Sequence, residues 1–181
     1  KIKNNYFIVD CWHHRIIYSN NMKTWKVLDQ EISGPHSIVS DGKIYIAEDT
    51  GKNAIRVYKK TNDNVFFLEQ IITSMGTRPH RSIYCSETDT FYIFSSLDQT
   101  IFSLVNNQKE VLIKRSQFIP ELQGQYCRSI SIREDMIYFI GHSKIVVYRL
   151  GRDNLTFIST INLNHLYFGG NDLYFFSSQS K

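Results

Sequence analysis

GPHSIVSDGKIYIAEDTGKNAIRVYKK, residues 34–60, is the stretch on which the fold turns. HSIVS alternates and is apolar enough for a strand, and Asp41-Gly42 is a tight-turn pair. KIYIAED is a second strand. Residues 49–53 carry turn chemistry in Asp, Gly and Asn, and AIRVYKK is a third strand. Nothing in the stretch has helical periodicity. It describes an antiparallel meander.

The same phrase recurs outward from it. The second strand of each unit carries a tyrosine: YFIVD at Tyr6, KIYIAED at Tyr45, TFYIFSS at Tyr92, MIYFIGH at Tyr138 and DLYFFSS at Tyr174, spaced 39, 47, 46 and 36 residues apart. A third strand follows in the first four: HRIIYSN, AIRVYKK, TIFSLVN, KIVVYRL. A fourth follows that: WKVLD, VFFLEQII, EVLIKRS, LTFISTI. A first strand precedes the tyrosine in each later unit: HSIVSDG, HRSIYCSE, CRSISIRE, HLYFGGND. Four strands at a period near 40–50 residues predict propeller blades. A four-stranded sheet buries both faces only when a sheet stacks on each side, and radial stacking does this without a long open edge. A two-sheet sandwich also has short strands, but it does not explain the return of one four-strand phrase. The expectation is an all-β chain, a single β-propeller domain over 1–181. Its parts are a partial blade 1–33, blades 34–78, 79–124 and 125–163, and a partial blade 164–181, about four blades in all. The only helical candidate, 116–123, contains Pro120 and predicts a loop or single turn.

Composition agrees. Apolar residues are 42% and aromatics 14% of the 181 residues, which suits an ordered β-rich protein and not a disordered one. No run of about 18 apolar residues occurs, so no membrane-spanning helix is expected. Neither is a signal peptide visible. The net charge of +4 comes from Lys and Arg scattered along the chain, densest at Lys59-Lys60 and Lys114-Arg115. Nucleic-acid binding needs a concentrated basic stripe and is not expected. Three cysteines do not make a disulfide framework; they favour a reducing, cytoplasmic setting, with one bridge plus a free thiol as the alternative.

FIVDCWHHRIIYS, residues 7–19, resembles the phrase of the NHL-repeat propellers, in which an apolar strand ends in Asp and a turn leads to Asn-His-Arg-Ile. Asp10, His14, Arg15 and Ile16 fall on that pattern, with His13 in place of Asn. Asp49, Thr50, Gly51 and Ile55 repeat it, departing at Lys52, Asn53 and Ala54. From residue 80 onward the likeness fades to a general propeller pattern, shared with six-bladed lactonase-like propellers. The resemblance implies six blades. The strands counted, three, three fours and two, are about seventeen. The chain is therefore expected to be part of a larger ring, lacking an N-terminal portion, and to need that portion or another chain for closure.

The first strand of a propeller blade lines the central channel. His36 and His165 each stand nine residues before their blade's tyrosine, and His80 lies three residues further out because the Glu87–Thr90 hairpin is longer. Cys127 takes the corresponding place in the fourth unit. Imidazole and thiolate are ligands for zinc and similar divalent ions. The NHL-like peptide-amidating lyase binds zinc through channel histidines, and similarity to it implies ligation by His36, His80 and His165, with Cys127 level with them. Tyr126, Arg81 or Arg128 would then serve as base or anion clamp. The plainer reading is channel lining. The first functional expectation is a binding or scaffold module holding a protein, peptide or glycan at the channel mouth through His36, His80, Tyr126, Arg81 and Arg128. The alternative is a metal-dependent lyase or hydrolase acting in the channel. Asp10-Cys11-Trp12-His13-His14 reads as a turn, and Asp49 as a carboxylate bonding backbone N–H groups.

Overall fold

The computed structural model describes residues 1–151 and 154–163. The described strands form four antiparallel meanders. The first sheet has three strands, β1 (Tyr6–Asp10), β2 (Arg15–Ser19) and β3 (Lys26–Asp29). The second has four: β4 (Ile38–Ser40), β5 (Ile44–Asp49), β6 (Ala54–Lys60) and β7 (Phe66–Ile72). The third runs β8 (Pro79–Cys85), β9 (Thr90–Ser95), β10 (Thr100–Asn106) and β11 (Val111–Phe118). The fourth runs β12 (Ser129–Arg133), β13 (Met136–Ile140), β14 (Lys144–Leu150) and β15 (Leu155–Asn162). Strand order is sequence order throughout. The strands expected around His165 and Tyr174 lie outside the described residues. Pro120–Leu122 forms the single turn anticipated from Pro120, of 3-10 type.

The sheets stack face to face. β5 and β9 are buried along their whole length, which is why they read as apolar runs and not as alternating strands. The outer strands β7, β11 and β15 are largely exposed. One apolar layer joins the first and second sheets through Ile16, Tyr18, Tyr45 and Tyr58. A second joins the second and third through Ile46, Val57, Ile93 and Leu104. The largest joins the third and fourth through Phe94, Ile101, Phe139 and Val146. Gln70 and Gln117 work as clamps between sheets. Each side-chain amide pairs with both backbone groups of the residue opening the next sheet's outer strand, Val111 and Leu155, at 2.9–3.1 Å.

Two features repeat that the letters alone do not show. Every sheet has a register shift between its outermost strand and the strand before it: at Ile16/Ile17, Val57/Tyr58, Ser103/Leu104 and Val147/Tyr148. A bulge there adds local twist to the outer edge. The turn joining the second and third strands also holds the chain crossing between sheets. His14 and Asn53, both left-handed at φ 51 and φ 53, accept hydrogen bonds from the Gly34 and Arg78 N–H groups at 3.0 and 2.8 Å. His142 accepts one from Tyr126 N–H at 3.3 Å. The Asp49 expectation is met and extended: its carboxylate accepts the Ser33 N–H at 2.8 Å and also pairs with Arg56.

Candidate functional site

The inner strands β4, β8 and β12 meet, with β8 against both others. At the end where these strands begin, His36 and His80 come together. Their rings stack with centroids 3.8 Å apart and planes 22° apart. His36 follows Pro35 in the crossing segment ahead of β4. His80 is placed by a bulge: Pro79 pairs with Ser95 and Arg81 with Phe94, so His80 is the extra residue in the ladder. A bulge of this kind re-aims a side chain. The imidazole is 4% exposed. Its Nδ1 donates to the Arg128 carbonyl at 3.2 Å, which leaves the Nε2 lone pair free to accept, and Nε2 has no partner among the described residues.

The backbone under the pair is braced from below. Glu48, fully buried on β5, accepts the Ser37 N–H at 2.6 Å, the Ser37 hydroxyl at 2.5 Å and the Ser82 hydroxyl. Ser82 N–H donates to Ser37 Oγ at 3.1 Å. Glu48 is thus satisfied by three donors that tie the entry of β4 to β8. It does not present a free carboxylate to a cation.

The charges of three guanidinium groups reach the imidazoles. Burial first, then the charges of Arg78, Arg81 and Arg128, push the His36 pKa down to about 4. Burial, then the His36 charge and the same arginines, push His80 down to about 3. Both rings are therefore neutral near pH 7 and too weakly basic to serve as general bases there. Arg128 lies over the Tyr126 ring at 4.2 Å. Arg78 Nη1 reaches the Tyr126 hydroxyl at 3.4 Å.

Arg78 is the residue the sequence reading did not single out. It precedes Pro79 yet has φ 65, a left-handed conformation unusual for a non-glycine residue and disfavoured before proline. The conformation is pinned from both sides: its N–H is held by Asn53 and its carbonyl accepts Ser96 N–H at 2.9 Å. Strain of this kind persists because the surroundings over-determine it. The signal in the sequence was TRPHR, with two arginines flanking Pro-His, but spacing alone did not connect them.

The expected ligand set does not assemble among the described residues. Cys127, expected level with the histidines, is fully buried in the layer between the third and fourth sheets. Its thiol donates to the Ser129 carbonyl, and burial holds its pKa up at about 12, so it is not a thiolate. The residue points into the core because the neighbouring segment supplies Arg128, not Cys127, to the mouth. His165 lies outside the described residues. No group of three or more His, Cys, Asp or Glu that could hold a metal occurs among the described residues. His80 does make the Nδ1–carbonyl bond typical of a metal ligand. Its stacking on His36 opposes a shared ion: planes only 22° apart meet far beyond a zinc–nitrogen bond of about 2.0–2.1 Å. Three guanidinium charges repel a cation as well. All three cysteines are free thiols.

Comparison with solved structures decides the architecture. A protein from Lactobacillus plantarum superposes with a TM-score of 0.72 at 14% identity, over 88% of this chain and 54% of its own. Streptogramin B lyase gives 0.64 at 14%, over 88% and 51%. A chain of the nidogen/laminin complex gives 0.63 at 11%, over 90% and 60%. The fold is a β-propeller. The four sheets are its blades, and the chain spans about half the length of the neighbour first named. At such identities the likeness concerns fold alone. No protein-family model matches the chain, and no curated protein sequence matches it.

Proposed function

We propose that this propeller segment is a binding module that takes its partner at the mouth where the inner strands begin. One observation carries the reading: a bulge places His80, 96% buried and with an unpartnered acceptor nitrogen among the described residues, at the start of the inner strands, where the charges of three arginines reach it. Buried polar atoms are normally hydrogen-bonded, so an acceptor of this kind has room in its bonding for a donor from a ligand or a water. The neutral Nε2 accepts a hydrogen bond and the guanidiniums donate to an anion. The matching group is a carboxylate with a hydroxyl or N–H beside it. Among the structural neighbours, the nidogen/laminin complex is by its description a protein–protein assembly, and protein binding on this fold is in keeping with the reading. Streptogramin B lyase is by name an enzyme. A metal-dependent lyase or hydrolase here would need His36 and His80 to unstack and a third ligand to join them.

The test is a titration of the chain, followed through the histidine ring signals by NMR. Glycolate, a carboxylate beside a hydroxyl, is expected to move the His80 ring signals, and neutral glycolamide to leave them in place. Zinc is expected to bind at well below one ion per chain. Equimolar zinc that moves both rings and is lost in His36→Ala would replace this reading with the metal-dependent one. No response to glycolate would end the binding reading at this mouth.

A further inference from the structure

The end of the sheets that carries the mouth also carries exposed apolar side chains, two of them tied to Arg78 or its neighbour by hydrogen bonds. Trp12, 91% exposed, stands in the turn Cys11–His13 of the first blade. The Arg78 charge reaches the neighbouring Cys11 thiol. Leu97, 57% exposed, stands in the corresponding turn of the third blade, where its N–H donates to the carbonyl of Thr77, the residue before Arg78. Tyr126, 36% exposed, meets Arg78 through its hydroxyl. These turns lie at the same end of the sheets as His80, because Pro79 pairs with Ser95 at the end of β9. Trp12 and Leu97 are more than half exposed and belong to none of the apolar layers between the blades. An exposed Trp, and a Tyr held against arginines, are residue types that dominate binding energy at interfaces.

We infer that the mouth and its rim bind an acidic peptide segment: a carboxylate meets Arg78 and Arg81, an N–H of the same segment donates to His80 Nε2, and an apolar side chain rests on Trp12. The inference rests on the binding reading above and adds the partner's class. A carboxylate alone needs only the mouth. The apolar rim extends the surface beyond what a small acid can cover, and this favours a peptide. The net charge of +4 adds long-range attraction for an acidic partner.

A displayed library of random heptapeptides panned on the full chain tests it. Enriched sequences are expected to place Asp or Glu beside a large apolar residue. Arg81→Ala and, separately, Arg78→Gln are expected to weaken the recovered peptides about tenfold or more. Trp12→Ala is expected to erase the apolar preference while keeping the acidic one. Thermal melts run in parallel exclude unfolding, and Trp12→Ala is the variant whose exposure makes it safe in this respect. Enriched peptides lacking an acidic residue, or no enrichment at all, overturn the inference. If glycolate still moves His80 in that case, the mouth binds a small acid and the binding reading survives. If glycolate also fails, both fall.

Discussion

Two joints between neighbouring blades serve one architectural purpose with different chemistry. Between the third and fourth blades the joint is apolar. Phe94 and Phe139, both fully buried, meet edge to face at 5.4 Å, and Phe139 meets Tyr148 at 5.9 Å. Between the first and second blades an ionic cluster joins the apolar layer. Arg56, 4% exposed, donates to Asp49 at 2.7 Å, to Asp29 at 3.0 Å and to the Glu31 carbonyl at 2.8 Å. The Tyr58 hydroxyl completes it with a 2.7 Å bond to Asp29. An apolar joint loses stability in proportion to the volume removed. In an ionic joint the loss does not scale with volume, since removing the cation strands buried carboxylates. The apolar joint therefore degrades gradually under substitution and the ionic joint abruptly.

Substitutions sharpen that contrast, and denaturant midpoints measure it. Arg56→Met, close in volume but neutral, leaves Asp29 and Asp49 buried without the guanidinium that joins them, Lys52 reaching Asp49 only at 3.9 Å, and is expected to cost about 3–5 kcal/mol. Phe139→Ala is expected to cost a similar amount, about 3–5 kcal/mol, by opening a cavity. The graded case separates them: Phe139→Leu recovers most of the loss, whereas Arg56→Lys does not, because an ammonium cannot reproduce three divergent bonds of a planar fork. Equal recovery at both joints would remove the distinction. Tyr58→Phe is expected to cost about 1–3 kcal/mol, from one donor lost to a buried carboxylate.

The channel mouth follows a third pattern, visible through pH. Histidines whose pKa is lower in the folded than in the unfolded chain add nothing above pH about 6.5, where both states are neutral. As pH falls below that, the unfolded chain takes up protons and the folded one does not. Stability is thus lost from pH about 6.5 down toward 4 for His36 and 3 for His80, where the folded state titrates. His80→Gln is expected to flatten the stability profile between pH 6.5 and 4; an unchanged slope would remove the burial argument. The smallest effect is at the rim, where Trp12→Ala should shift stability by less than about 0.5 kcal/mol.

Much of this architecture was legible in the letters. Strand alternation and turn residues are local properties, so the four-strand phrase, its recurring tyrosine and the single turn at Pro120 could be read directly, and fifteen described strands fall where the phrase places them. The site was only half legible. His36 and His80 were picked out because inner strands share an axis, and they do meet. Cys127 comes from the same alignment but lies in the core, in the segment ahead of β12, where no strand alternation fixes which way a side chain faces.

What the sequence determined by itself was the unit: four short strands, their turns and the faces they bury. Only the tertiary structure decided how units address one another. The His80 bulge, the stacked imidazoles, the strained Arg78 backbone and the reach of Arg56 from β6 to Asp29 on the preceding blade all depend on the placement of one sheet against the next. Burial and contact between distant segments set those relations, and no local spacing encodes them.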